Sequence, residues 1–148
     1  MNLKEYQAFA RNQELDTSTR DYLYHNLIRE IGSIAGTIAQ HQQDIWLDDN
    51  KNSLLLDDLS SITWFLAKIS NYLDLNLSHE NNLYKNDWKV YGHLFTVAED
   101  FNTYVLTEAT LNKALTAVAS LADNCGYSLN EVLQYSERKL NRRFEILA

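Results

Sequence analysis

The chain has 148 residues, 45% of them hydrophobic, with 13 basic against 20 acidic side chains and a net charge of −7. That much apolar material excludes a disordered chain, and one domain spanning 1–148 is the natural organisation. The acidic balance excludes general binding to DNA or RNA, which needs a cationic surface to displace counterions. It leaves room for a small phosphorylated ligand in a local pocket.

Proline is absent and glycine occurs four times. A β-rich fold would need many more turn residues, so an all-α fold is expected, an antiparallel helical bundle. A short first helix is predicted from Leu3 to Gln13, carrying Leu3, Tyr6, Phe9 and Ala10 on one side. Asp16, Thr17, Ser18 and Thr19 then offer N-caps for a second helix over 20–43. Leu23, Leu27, Ile31, Ile34 and Ile38 form its apolar face, and Gly32, Ala35, Gly36 and Ala39 a strip of small residues beside it. Its polar edge is Glu30, Ser33, Thr37 and Gln40.

The polar run Asp48 to Asn52 reads as a loop, and a third helix over 54–73 repeats Leu55, Leu59, Ile62, Leu66, Ile69 and Leu73 by four and three. A break is expected from Asp74 to Lys85. A fourth helix is predicted over 88–106 and a fifth from Ala109 to Asn124, stopped by Gly126 as a left-handed cap. Ser128-Leu129-Asn130-Glu131 is a capping box for a last helix, whose far end carries Arg138, Lys139, Arg142 and Arg143. The stretch from Trp64 to Leu77 echoes that from Thr116 to Leu129, each reading as helix, tight turn and new segment.

No apolar run reaches the ~18–20 residues of a membrane span, and the start of the chain shows no secretory leader. The only cysteine is Cys125, so no intrachain disulfide can form and a cytoplasmic setting is expected. Cys125 reads as a packing residue. His25, His41, His79 and His93 show no metal-ligand spacing. Trp46, Trp64 and Trp88 could stack on a base, although a core role is commoner.

Asn26-Leu27-Ile28-Arg29-Glu30-Ile31-Gly32-Ser33-Ile34-Ala35 resembles the first motif of the MazG-like, all-α nucleoside triphosphate pyrophosphohydrolases. Asp58-Leu59-Ser60-Ser61-Ile62-Thr63-Trp64-Phe65-Leu66-Ala67 resembles their second motif. Leu3 to Gln7, Gly126 to Leu133 and Lys139 to Phe144 also resemble the family's ends, whereas 81–106 has no counterpart and reads as an additional helix. The resemblance implies a MazG-like bundle, assembled as a homo-oligomer, in which clustered carboxylates hold Mg²⁺ on a triphosphate and activate water. Here Arg29 stands for the first glutamate, Glu30 keeps the second, and Ser33 replaces the third. Asp58 is a shorter carboxylate for the next position, and Ser61 replaces the last.

Glu30 and Asp58 are thus the remaining metal ligands, sufficient only for weakly held Mg²⁺. Arg29 brings a guanidinium that can neutralise phosphate where metal otherwise would. The resemblance also points to Lys139 and Arg143 as phosphate contacts. The expected ligand set is Arg29, Glu30, Ser33, Asp58, Ser61, Lys139 and Arg143, with Asp57, Glu99 and Asp100 as replacement carboxylates. The expectation is nucleotide or phosphate binding with weak or absent hydrolysis. A Mg²⁺-dependent pyrophosphohydrolase with relocated ligands and a non-enzymatic oligomeric partner protein are the alternatives.

Overall fold

A computed structural model describes residues 1–12, 19–43, 50–85 and 88–147, with the side chains of all but 41–43, 50–52 and 143–147. The described residues are helical throughout their ordered elements, with no strand among them. Helices α1 (Leu3–Asn12), α2 (Arg20–Gln43) and α3 (Asn50–Tyr72) are followed by one 3-10 turn (Trp88–Tyr91), α4 (Gly92–Asn102), α5 (Glu108–Asn124) and α6 (Leu129–Leu147). None of these helices is long and apolar enough to cross a membrane.

Side chains satisfy several of the helix starts. Asn2 Oδ1 accepts from Glu5 N at 2.8 Å, Thr19 Oγ1 from Tyr22 N at 3.2 Å, and Thr107 Oγ1 from Thr110 N at 3.4 Å. The capping box is complete: Glu131 N donates to Ser128 Oγ and Ser128 N to Glu131 Oε1, both at 3.1 Å. Of the four candidate caps before α2, Thr19 serves, and Asp16 to Ser18 lie outside the described residues.

Three helices end alike. Asp74 (φ 57°), Tyr104 (φ 66°) and Gly126 (φ 82°) each sit in the left-handed region. The following amides close the turn, Leu75 N on Ser70 O, Val105 N on Asp100 O and Tyr127 N on Ala122 O, at 2.8–2.9 Å. This is the Schellman arrangement. It accounts for the echo between 64–77 and 116–129, because α3 and α5 share one terminating geometry. It also corrects the expected helix over 88–106: a 3-10 turn opens it, and the Tyr104 cap stops α4 at Asn102. The loop expected over 48–52 is shorter, since Asn50 to Asn52 already belong to α3, while 48 and 49 lie outside the described residues.

Helix α3 is the centre of the bundle and touches α1, α2, α5 and α6. Tyr22, near the start of α2, meets Phe65, whereas Ser33 and Thr37, further along, meet Asp58. The order runs backwards, so α2 and α3 are antiparallel. Helix α3 is buried on more than the one face its spacing predicts, and Ser60, Thr63 and Ser70 lie in the interior. Each hydroxyl donates at 2.7 Å to a backbone carbonyl three or four residues earlier, so all three hydroxyls are paired. Helix α1 is held across the bundle by a buried 2.6 Å bond between Tyr6 Oη and Ser136 Oγ of α6.

The break after α3 forms a strap along α5. Its amides are bonded by side chains: Leu77 N to Gln7 Oε1 at 2.8 Å, and Glu80 N and Tyr84 N to Thr116 Oγ1 and Ser120 Oγ, both at 2.9 Å. Thr116 and Ser120 are buried in α5, and each also donates to a carbonyl one turn back. Three amides of a segment without regular structure thereby find partners.

Candidate functional site

The two motif regions meet on the α2–α3 seam. Asp58 is only 8% exposed, and both of its carboxylate oxygens accept hydroxyls from α2. Ser33 Oγ donates to Oδ1 at 2.8 Å and Thr37 Oγ1 to Oδ2 at 2.6 Å. Ser33 and Thr37 are one turn apart, so a single helix face presents both donors. Thr37 Oγ1 also lies 3.1 Å from the Ser33 carbonyl, which anchors its hydroxyl on the helix.

One residue earlier, Asp57 turns to another helix, because successive helical residues point about 100° apart. Lys139 Nζ of α6 lies 2.8 Å from Asp57 Oδ1 and donates to Ser61 Oγ at 3.1 Å. Tyr135 Oη donates to the same Asp57 oxygen at 3.2 Å. Burial, and then the Asp57 carboxylate, pushes the Tyr135 phenol above its ordinary value. The Lys139–Asp57 pair is half-exposed on both sides, so it stabilises the fold by no more than ~1 kcal/mol.

Upstream on α2, Arg29 Nη2 and Glu30 Oε1 are 3.1 Å apart. Glu30 is tucked in at 14% side-chain exposure while Arg29 extends to solvent at 69%. The sequence-derived residues therefore fall into three groups. Ser33 and Asp58 join with Thr37; Ser61 and Lys139 join with Asp57 and Tyr135; Arg29 and Glu30 pair with each other. The side chain of Arg143 lies outside the described residues.

These contacts fit a resident divalent cation poorly. The Asp58 oxygens that would face a metal accept protons from two hydroxyls, and the Glu30 carboxylate is engaged by a guanidinium. Among the described residues, no three His, Cys, Asp or Glu side chains converge where they could hold a metal. Of the replacement carboxylates, Asp57 sits beside Ser61 but is engaged by Lys139 and Tyr135, while Asp100 accepts a 3.4 Å bond from Thr110 Oγ1 and Glu99 is exposed on α4. What the seam does offer is an exposed arginine, a half-exposed lysine and the Ser61 hydroxyl, whose proton is not used by the Lys139 contact; these are donors suited to phosphate oxygens.

Tyr135 carried no signal in the sequence, since only the crossing of α6 over α3 brings it to Asp57. Thr37 was visible as part of the polar edge of α2. The remaining candidates with described side chains make contacts within the chain. His93 stacks on Tyr84 with centroids 5.2 Å apart, His25 meets Tyr24 edge-on, and His79 Nδ1 lies 2.9 Å from the Glu80 carbonyl. Trp64 packs against Phe9 at 6.2 Å and Trp88 is half-buried, while Trp46 and the side chain of His41 lie outside the described residues. Cys125 is half-buried, and burial pushes its thiol up to about 11.

Comparison of the chain with known protein families, curated proteins and solved structures finds no match.

Proposed function

We propose that this chain is a MazG-like helical bundle that holds a nucleotide or nucleotide-like phosphate ligand and hydrolyses it weakly or not at all. The observation that carries this reading is the state of Asp58, whose two oxygens accept Ser33 and Thr37 hydroxyls. A pyrophosphohydrolase needs such a carboxylate free for metal, because bound metal lowers the pKa of the attacking water. Here the carboxylate acts as a clip between α2 and α3. Any Mg²⁺ would be carried in weakly with the ligand's own phosphates, completed by water. Arg29 and Lys139 supply positive charge at the seam, with the Ser61 hydroxyl beside Lys139.

A homo-oligomer is the second part of the proposal. Of the small-residue strip, Gly32, Gly36 and Ala39 are exposed and Ala35 is half-buried, and nothing described in the chain lies within 4 Å of a Cβ built on Gly32 or Gly36. Among the described residues nothing fills the space over these two glycines, which supports close approach by a second copy. Light scattering giving a monomer mass at high concentration would contradict this part. A cytoplasmic setting fits the lone thiol.

A thermal-shift screen of nucleoside triphosphates, monophosphates and cyclic nucleotides, with and without Mg²⁺ and Mn²⁺, tests the reading. A ligand at 100 times its Kd stabilises the native state by ~2.7 kcal/mol. For a domain of this size that is a rise of about 5–10 °C. The expected result is a rise with at least one nucleotide in the absence of metal. A rise that requires metal supports the enzyme, and no rise with any nucleotide supports a partner protein.

A further inference from the structure

The opposite corner of the bundle, where α2 begins and α4 ends, holds an arginine with unusual surroundings. Arg20 lies with its guanidinium carbon 3.9 Å from the Tyr104 ring centroid, 4.4 Å from Phe101 and 5.9 Å from Tyr72. One Nη donates to the Phe101 carbonyl. Nε is buried and has no acceptor, and among the described residues no carboxylate pairs with this side chain. An arginine has five N–H donors, and when partly buried it is normally paired with a carboxylate or hydrated. In a protein of net charge −7, Arg20 rests against π faces instead.

Beside it opens a cleft of about 190 Å³. Leu73, Leu75 and Leu106 supply its apolar walls, and Arg20 and Tyr104 the polar one. The two non-glycine left-handed residues, Asp74 and Tyr104, belong to the two helix-ending turns that bring these leucines together. Tyr104 is 77% exposed, so burial does not hold it over the guanidinium. A tyrosine in the left-handed region is uncommon and costs backbone energy, and such positions concentrate at ligand clamps.

We propose that this cleft binds a small monocarboxylate with an apolar body, its carboxylate on the Arg20 guanidinium and its hydrocarbon part against Leu73, Leu75 and Leu106. Ordinary ligand pockets measure ~300–1,000 Å³, so the cleft admits a short acyl or aryl chain and not a nucleotide. The carboxylate fits because a guanidinium presents paired N–H groups in one plane, matching two carboxylate oxygens. The site is separate from the α2–α3 seam and stands or falls independently of the nucleotide reading.

The competing account is that Arg20 only staples α2 to the end of α4, its charge complementing the α4 dipole. Titration of the full chain with sodium hexanoate, followed by the Arg20 Nε–Hε and Tyr104 ring NMR signals, separates the two. Hexanamide, the neutral isostere, and inorganic phosphate serve as comparison ligands. The expected result is a saturable shift of both signals with hexanoate, and at least about a tenfold weaker response to hexanamide and to phosphate. Arg20→Gln should abolish the response. Leu106→Trp, which fills the cleft and keeps the arginine, should abolish it as well, so a folding defect in one variant leaves the other to decide. No saturable shift, an equal response to hexanamide, or hexanoate binding that survives Leu106→Trp would overturn the proposal. A peptide ending in leucine that binds more than about tenfold tighter than hexanoate would also overturn it, by assigning the cleft to a protein C-terminus.

Discussion

Replacing Ser33 by glutamate restores the carboxylate that the resembled motif carries and removes a donor from Asp58. Ser33 Oγ bonds Asp58 Oδ1 at 2.8 Å, and the acceptor is almost fully buried. A hydrogen bond to a charged group contributes ~1.5–3 kcal/mol, and its loss sets the minimum cost. Repulsion between the two carboxylates adds to that, at most ~4 kcal/mol for charges about 4 Å apart at an effective dielectric of 20. Position 33 is exposed, so the longer side chain can swing to solvent and escape much of this repulsion. Without metal, Ser33→Glu should therefore melt about 5–10 °C below the parent chain. Mn²⁺ at 100 times its Kd should return ~2.7 kcal/mol to the variant, because a carboxylate pair can hold a cation that a carboxylate with two hydroxyls cannot. The assay is differential scanning fluorimetry of parent and variant across a Mn²⁺ series. A parent chain stabilised by Mn²⁺ as strongly as the variant would refute the argument, as would a variant that loses no stability in the absence of metal.

Three further outcomes follow from other parts of the molecule. Tyr6→Phe leaves the buried Ser136 hydroxyl without its partner and should cost ~1–3 kcal/mol, whereas Tyr6→Phe with Ser136→Ala should cost less than the sum of the single changes; urea unfolding of the four proteins measures the coupling. Gly126→Ala, at φ 82°, should destabilise by ~1 kcal/mol, while Asp74→Gly, at φ 57°, should stabilise by a few tenths; matching effects at the two sites in thermal unfolding would rule out the shared cap. Cys125, with its thiol pushed up to about 11, should react with iodoacetamide at a rate that keeps rising with pH beyond 9. Since the fold favours the neutral thiol, its contribution is full below the ordinary value of 9.0 and is lost as pH rises through the folded one. A rate that levels off near pH 9 contradicts this.

Much of the fold was legible because it rests on repetition. The apolar residues of α2 and α3 recur by three and four, and the Ser128–Glu131 box and Gly126 mark an end and a start through chemistry that few other residues share. The stop at Tyr104 was not legible. Tyrosine carries no left-handed preference, and only the packing of α4 on α2 and α5 places it there. At the seam, the sequence shows where this chain differs from the motif it resembles but not what the serines there do. Serine and threonine are ambiguous along a helix, able to cap, back-bond or face water. Their role as donors to Asp58 depends on the register between two antiparallel helices. Lys139 shows the same limit. The family resemblance suggests a phosphate contact, while its partners in the folded chain are Asp57 and Ser61.

The central claim is binding without turnover, and phosphorus NMR of nucleoside triphosphates incubated with the protein in Mg²⁺ reads both halves at once. The account predicts broadened or shifted phosphate resonances for at least one nucleotide and no growing pyrophosphate signal. Pyrophosphate release at ~1 s⁻¹ or faster, an ordinary enzymatic rate, would contradict it and establish relocated metal ligands; sharp, unmoved resonances for every nucleotide would contradict it from the other side.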